Sequence, residues 1–273
     1  LHLCGEIFGN SSVRLLFIGD IVGSPGREIV TRSVPTLIVE QQLDLVIANA
    51  ENAAGGSGLT PQIYKQLTKA GVDAITLGDH VFRRKEIFPT LDSADNIVRP
   101  ANLPTEAHGR EWAVVTARDG TRVGVCCFLG QLFMKPIDNP WRAADRVMAA
   151  MPTEVKVRFV DFHVEATSEA QLMGRYLDGR ASAVLGTHTH VATADECVLP
   201  GGTAFQCDVG MTGPHDGILG RRTDRVMETM LTSNPTQFEV SAGDVRLNGT
   251  IVDIDPGTGL ATKIERFCVR EAV

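Results

Sequence analysis

Six apolar runs along the chain share one design: Val, Leu, Ile, Phe and Ala in close succession, then a polar burst. They are VRLLFIGD, LDLVIANAEN, DAITLGDH, TRVGVCCFLG, VKVRFVDFH and ASAVLGTHTH. Such runs predict strands buried in a sheet, and the segments between them carry helix signals. Thr60 is placed to cap and Pro61 to open a helix over PQIYKQLTKAG, which Gly71 ends. Asn139 and Pro140 do the same for NPWRAADRVMAAM. In SEAQLMGRYLDG, Ser168 and Gln171 have the spacing of a capping box, and Gly179 marks the stop. Near the end, GDVRLNGTIVDIDPGTGLATKIERF predicts a hairpin turning at DPGTG. With no internal repeat, low-complexity tract or linker, one α/β domain is expected over residues 13–273. LHLCGEIFGNSS, residues 1–12, is set aside as an N-terminal extension.

Composition narrows the class. Hydrophobic residues make up 43% and charged residues 22%, ordinary for a globular protein with a sizeable core. The net charge of −7 argues against a broad nucleic-acid-binding surface, although a local cationic site can still hold a small nucleotide. No apolar run is long enough to span a bilayer and no secretory leader is evident, so the expected location is the cytoplasm. The six cysteines form no Cys-x-x-Cys pair, which argues against zinc–thiolate chemistry and for free, packed thiols. Cys126 and Cys127, adjacent in one strand, should face opposite sides of it.

The candidate chemistry falls at the strand ends. The first run ends at Asp20, the second at Glu51 and Asn52, the third at Asp79 and His80. Later runs end at His163 and at the pair His188 and His190. In an α/β sheet, ligands bind outside the carboxyl ends of the strands, so segments distant in sequence meet in one crevice. Three carboxylates, an amide and four imidazoles suit zinc, iron or manganese. One Asp after a strand is ordinarily a cap and one buried His a core residue; repetition at equivalent strand ends is what points to a metal. If GTHTH continues its strand, alternation puts both imidazoles on one face, to ligate one metal or two adjacent ones. Gly55, Gly56 and Gly58 match neither a Walker A loop nor a dinucleotide fingerprint, and are expected to let the backbone turn sharply before Thr60. His2, His108 and His215 lack comparable context.

FIGDIVGSPGR, ANAENAAGGSGLT, LGDHVF, RPANLP, DFHVEATSEA, GTHTHVATAD and DVGMTGP occur in an order that resembles the bacterial YmdB-like metallophosphoesterases, within the calcineurin-like dinuclear phosphoesterase superfamily. The resemblance spans about Val13 to Arg270. It implies a four-layer αββα sandwich with the metal site at the C-terminal ends of the strands, and a homo-oligomer. It further implies two transition-metal ions (iron, manganese or zinc), one held by Asp20, Glu51, Asn52 and His190. Glu51, Asp79, His163 and His188 would hold the other, with Glu51 bridging and His80 as the catalytic group facing the phosphoryl. Where the family has Gly-Asn-His, this chain has Gly78-Asp79-His80.

The implied activity is hydrolysis of 2′,3′- or 3′,5′-cyclic nucleotides, small phosphodiesters that an acidic chain can accept. Two ions about 3.5–4 Å apart would share a hydroxide that attacks phosphorus in line. His80 would stabilise developing charge or protonate the leaving oxygen. The rival readings are a phosphomonoesterase with the same metals and a metal-stabilised regulatory protein. His80, which no ligand role requires, favours an enzyme.

Overall fold

A computed structural model describes residues 12–271, so the extension read at residues 1–12 lies outside it except for Ser12. The order begins β1 (Val13–Ile18), α1 (Gly23–Glu40), β2 (Leu45–Asn49), α2 (Pro61–Lys69) and β3 (Ala74–Thr76). A short 3-10 turn, α3 (Phe88–Ser93) and β4 (Ile97–Val98) follow. Next come β5 (Trp112–Thr116), β6 (Arg122–Leu129), α4 (Pro140–Ala150), β7 (Val157–His163), α5 (Thr167–Tyr176) and β8 (Ala183–Thr187). The chain continues with β9 (Cys197–Val198), β10 (Ala204–Gln206), β11 (Gly213–Asp216), α6 (Thr223–Thr232), β12 (Gly243–Ile254) and β13 (Ala261–Arg270).

These strands make two sheets. The first runs β11-β12-β1-β2-β3-β4, with β13 on the other edge of β12; β1 to β4 are parallel. The second runs β5-β6-β7-β8-β10-β9, with β6, β7, β8 and β10 parallel. The side-chain period of two explains why the central strands are apolar throughout. Leu15 and Phe17 of β1 face the second sheet, while Leu16 and Ile18 face the helices. Between the sheets, the Phe17 and Phe159 ring centroids lie 4.8 Å apart. Val30, Val34 and Leu37 of α1 and Leu67 of α2 cover the outer face of the first sheet. Ala144, Val147 and Met148 of α4 and Ala170 and Met173 of α5 cover that of the second. The result is the expected αββα sandwich.

Local signals hold where they are short-range. Thr60 Oγ1 accepts from Ile63 N, Asn139 Oδ1 accepts from Arg142 N, and the β12–β13 hairpin turns where Asp255 Oδ1 accepts from Gly257 N. The capping box at Ser168 does not form: α5 starts a residue earlier, with no side-chain cap. Helix α1 gave little warning, having no side-chain cap, no acidic first turn and Pro35 inside it; packing of its apolar stripe sustains it. Cys126 and Cys127 do face opposite layers, and the five described cysteines are free. Cys197 and Cys268, however, are exposed rather than packed; Cys4 lies outside the described residues. Among the described residues no helix is long and apolar enough to cross a membrane.

Candidate metal centre

Every parallel strand that carried a polar burst delivers it to the same edge of the sandwich. Asp20 follows β1, Glu51 and Asn52 follow β2, Asp79 and His80 follow β3, His163 ends β7, and His188 and His190 follow β8. One atom each from Glu51, Asp79, His163 and His188 lies within 4.8 Å of the others. His163 Nε2 is central, 3.1 Å from Glu51 Oε1, 3.4 Å from Asp79 Oδ1 and 3.0 Å from His188 Nδ1. Gly78 permits this closeness, since a Cβ there would collide with Glu51 Oε2 and the His163 ring. Asp20, Asn52 and His190 meet beside Glu51. Asn52 Nδ2 lies 3.3 Å from Asp20 Oδ1, 3.4 Å from Glu51 Oε1 and 3.3 Å from His190 Nε2.

Two details differ from the sequence-based expectation. His188 and His190 do not continue β8, which ends at Thr187; they occupy a loop with φ of 106° and 67°. Strained backbone, rather than strand alternation, brings the two rings to the site. Asn52 turns its nitrogen toward the carboxylates and its oxygen to His80 Nδ1 at 2.7 Å. That orientation suits an amide donating to bare carboxylates; metal ligation requires the amide reversed.

The donor set fits a cation on grounds of charge. Asp20 and Glu51 are buried and Asp79 is largely buried, yet among the described residues their ion-pair partners are imidazoles alone. Buried carboxylates need a compensating charge. Burial pushes the Asp79 carboxyl up, but the hydrogen bond and charge of His163, with His80 and His188, hold it well below the usual range. Burial likewise pulls His163 down, and Glu51 and Asp79 outweigh it to hold the imidazole well above its usual range. Burial and the charge of His163 lower His188.

Further residues hold the candidate ligands, and the sequence reading missed them. His163 Nδ1 meets Thr187 Oγ1 at 2.9 Å, and that hydroxyl donates to Asp161 at 2.7 Å. Asp161 also accepts from Thr76 Oγ1 at 2.6 Å and Asn49 Nδ2 at 3.0 Å, which ties the second sheet to the first. Burial pushes its carboxyl up to about 6. Glu165 Oε2 stands 3.2 Å from His188 Nε2, the nitrogen facing away from the cluster. Asp208 accepts from Thr189 N and Oγ1, pinning the loop between the two histidines. A signal existed for Asp161, two residues before His163 and therefore on the same strand face.

The glycine loop turns as expected, with φ of 63°, 86° and 87° at Gly55, Gly56 and Gly58. Its carbonyls at Gly55 and Gly56 accept from Arg221, which also donates to Phe238 O at 2.9 Å. Arg221 thereby fastens the loop after Glu51 and Asn52 to the β11–β12 connection, whose Leu219 O faces His190 Nδ1 at 3.2 Å. A cavity of about 310 Å³ opens here, lined by His80, His188, His190 and Arg221 with Val226, Met230 and Phe238. His108 and His215 lie away from the cluster, beside Asp92 and Asn248.

An αββα sandwich with carboxylates and imidazoles massed at the carboxyl ends of its parallel strands is a fold of the metallophosphoesterase type. The YmdB-like protein family model matches residues 16–267, and the chain belongs to that family. It is 47% identical over 259 residues to a 2′,3′-cyclic-nucleotide 2′-phosphodiesterase of Bacillus subtilis (strain 168), covering 95% of this chain and 98% of that one. A crystal structure of a hypothetical protein from Thermus thermophilus superposes with a TM-score of 0.89 at 39% identity, over 95% of this chain and all of that one. A structure titled a novel phosphatase from Mycoplasma pneumoniae gives 0.88 at 31% identity, over 95% and 94%.

Proposed function

We propose that the chain hydrolyses phosphoric diesters, with 2′,3′-cyclic nucleotides as its substrates. The observation that carries this reading is the convergence of Glu51, Asp79, His163 and His188 within 4.8 Å, in a chain 47% identical to an enzyme of that name. Glu51, Asp79, His163 and His188 would hold one iron, manganese or zinc ion. Asp20, Asn52 and His190, with Glu51 shared, would hold a second. When bound, the metals supply an activated water nucleophile and neutralise charge on the phosphoryl oxygens.

The protein's own groups then divide the remaining work. Arg221 and the apolar wall of the cavity receive the nucleoside. His80 N donates to Glu51 Oε2 at 2.8 Å, which fixes where the His80 ring stands. Reversing the Asn52 amide to present oxygen to a metal turns its NH₂ group toward His80 Nδ1. That nitrogen must then accept, so the imidazole carries its proton on Nε2. From there the Nε2–H hydrogen-bonds to the ribose oxygen as it leaves phosphorus and stabilises its developing charge, and the attacking water supplies the proton that this oxygen finally takes. Water adds to phosphorus, one ring P–O bond breaks, and a nucleoside monophosphate with a free hydroxyl results.

The test is a hydrolysis screen with manganese, iron or zinc added back, alongside elemental analysis. Adenosine 2′,3′-cyclic phosphate is expected to turn over faster than its 3′,5′ isomer, a linear diester or a monoester, with close to two metals per chain. A preference for the monoester, or no turnover and no bound metal, overturns the reading. His80→Ala should lower kcat by about 10²–10⁴-fold at unchanged metal content. A homo-oligomer is part of the same proposal, to be checked by light scattering.

A further inference from the structure

Asp79 and His80 are neighbours, yet they line different cavities. The His80 cavity is described above; the Asp79 cavity, of about 340 Å³, shares no lining residue with it. Its walls are largely apolar, with Val81, Phe82, Leu129 and Ile137 among them, and Arg83 and Lys135 also line it. Neither cation forms an ion pair among the described residues. In a chain with 33 acidic and 26 basic residues, two unpaired cations on one apolar cavity form a site for an anion with an apolar body.

The loop between β6 and α4 forms one wall and has a definite shape. Gln131 N and Leu132 N donate to the Glu169 carboxylate, and Gln131 Nε2 donates to Ile137 O at 3.0 Å. Asn102 Nδ2 anchors the far end through Asp138 O, also at 3.0 Å. Between these anchors Phe133 has a φ of 62° and is 91% exposed. An ordered loop that holds an aromatic ring in water, in a backbone region bulky residues avoid, invites a ligand for the ring. Aromatic rings interleaved with cations are how proteins hold single-stranded nucleic acid: bases stack and phosphates pair.

Resting on the reading of the cluster as a 2′,3′-cyclic phosphodiesterase, we propose that this cavity and loop bind the nucleotide on the 5′ side of the reacting one. The preferred substrate is then a short oligoribonucleotide ending in a 2′,3′-cyclic phosphate. Its linking phosphate, on the 5′ oxygen of the terminal ribose, lies one sugar away from the reacting phosphorus, within the compass of the adjoining cavity. Arg83 and Lys135 take that phosphate, and Phe133 and Phe82 take the penultimate base. The net charge of −7 argues against a long basic track, so the preference is expected to saturate after a few nucleotides.

The experiment compares kcat/KM for adenosine 2′,3′-cyclic phosphate and for the dinucleotide ApA ending in a 2′,3′-cyclic phosphate. It uses the metal-loaded wild type, Phe133→Ala and the double variant Arg83→Ala with Lys135→Ala, with unfolding temperatures to confirm folding. Wild type is expected to favour the dinucleotide by about tenfold or more, the equivalent of one well-made charged contact. Both variants should bring that ratio toward one. Equal rates in wild type, or a preference that survives both variants, overturns the proposal. So does a Phe133→Ala variant that changes the molar mass by light scattering and leaves the ratio intact, since the ring then serves a subunit contact. If neither substrate turns over, the phosphodiesterase reading falls, and equilibrium binding of the same pair decides the subsite. Tighter dinucleotide binding that depends on Arg83 and Lys135 supports it, and equal binding overturns it.

Discussion

The two sheets contribute different chemistry to the centre. The first brings the oxygen donors: Asp20 after β1, Glu51 and Asn52 after β2, and Asp79 after β3. The second brings nitrogen donors: His163 on β7, and His188 and His190 after β8. The first sheet alone would gather three carboxylates with no cation beside them, and the second would gather three imidazoles. Only their packing makes a set in which both halves are satisfied. Asp161 fastens the halves together, reaching from β7 to Asn49 and Thr76 of the first sheet. The ligand geometry therefore depends on the register of sheet against sheet as well as on each strand.

The strongest way to break this pairing is to remove a ligand from either side. Glu51→Ala and His163→Ala are each expected to abolish turnover and to lower bound metal, measured by elemental analysis on folded protein. If one variant kept full metal content and activity, its sheet would contribute less than proposed. A weaker break targets the joint between the halves. Thr187→Val removes the hydroxyl between Asp161 and His163 while preserving shape. A loss of about 10–100-fold in metal affinity is expected, the usual cost of deleting a group that orients a ligand. An unchanged affinity would show that strand register alone positions His163.

Asp79 tests the charge balance. With Asn at this position, the first sheet would bring two carboxylates instead of three. A metal-loaded wild-type centre would then be less electropositive than the Asn form, and the water nucleophile proposed above would hold its proton more tightly. Asp79→Asn, loaded with the same metal, should shift the acidic limb of the pH–rate profile to lower pH. Coincident limbs would leave Asp79 a neutral exchange for Asn.

The smallest effect concerns Asp208, under the histidine loop. Burial and the charge of Asp20 push its carboxyl from 3.8 up to about 8, against hydrogen bonds from Gly210 and Thr189. The folded protein thus retains, between those values, a proton that the unfolded chain has released. Stability should fall as pH rises through that window. In metal-stripped protein, thermal unfolding from pH 5 to pH 8 should show this decline, and Asp208→Asn should flatten it. Parallel slopes for the two proteins would remove Asp208 as the cause.

Much of the fold was legible because its signals are local. Uninterrupted apolar runs such as VRLLFI require a strand buried on both faces, and Thr60 and Asn139 cap helices through contacts three residues away. Helix α1 and the short edge strands were not legible. Pro35 and the missing cap hide the former, and two-residue strands such as β4 and β9 carry no period to detect. The capping box misled because α5 begins at Thr167, which puts Ala166 at the cap position and Ser168 inside the first turn.

Sequence alone determined which residue types stand at the carboxyl ends of which strands, because alternating strand and helix signals place those ends together in any sheet of this class. It therefore indicated the set of oxygen and nitrogen donors that the fold gathers at one edge. Tertiary structure alone decided how the donors face one another. His188 and His190 converge through left-handed backbone that no pattern of residue types announces. Asp161, Thr187, Glu165 and Arg221 gain their roles from partners in segments distant along the chain. The reason is physical: a strand's ending is written in its own residues, whereas a distance of about 3 Å between two sheets' side chains depends on everything packed between them.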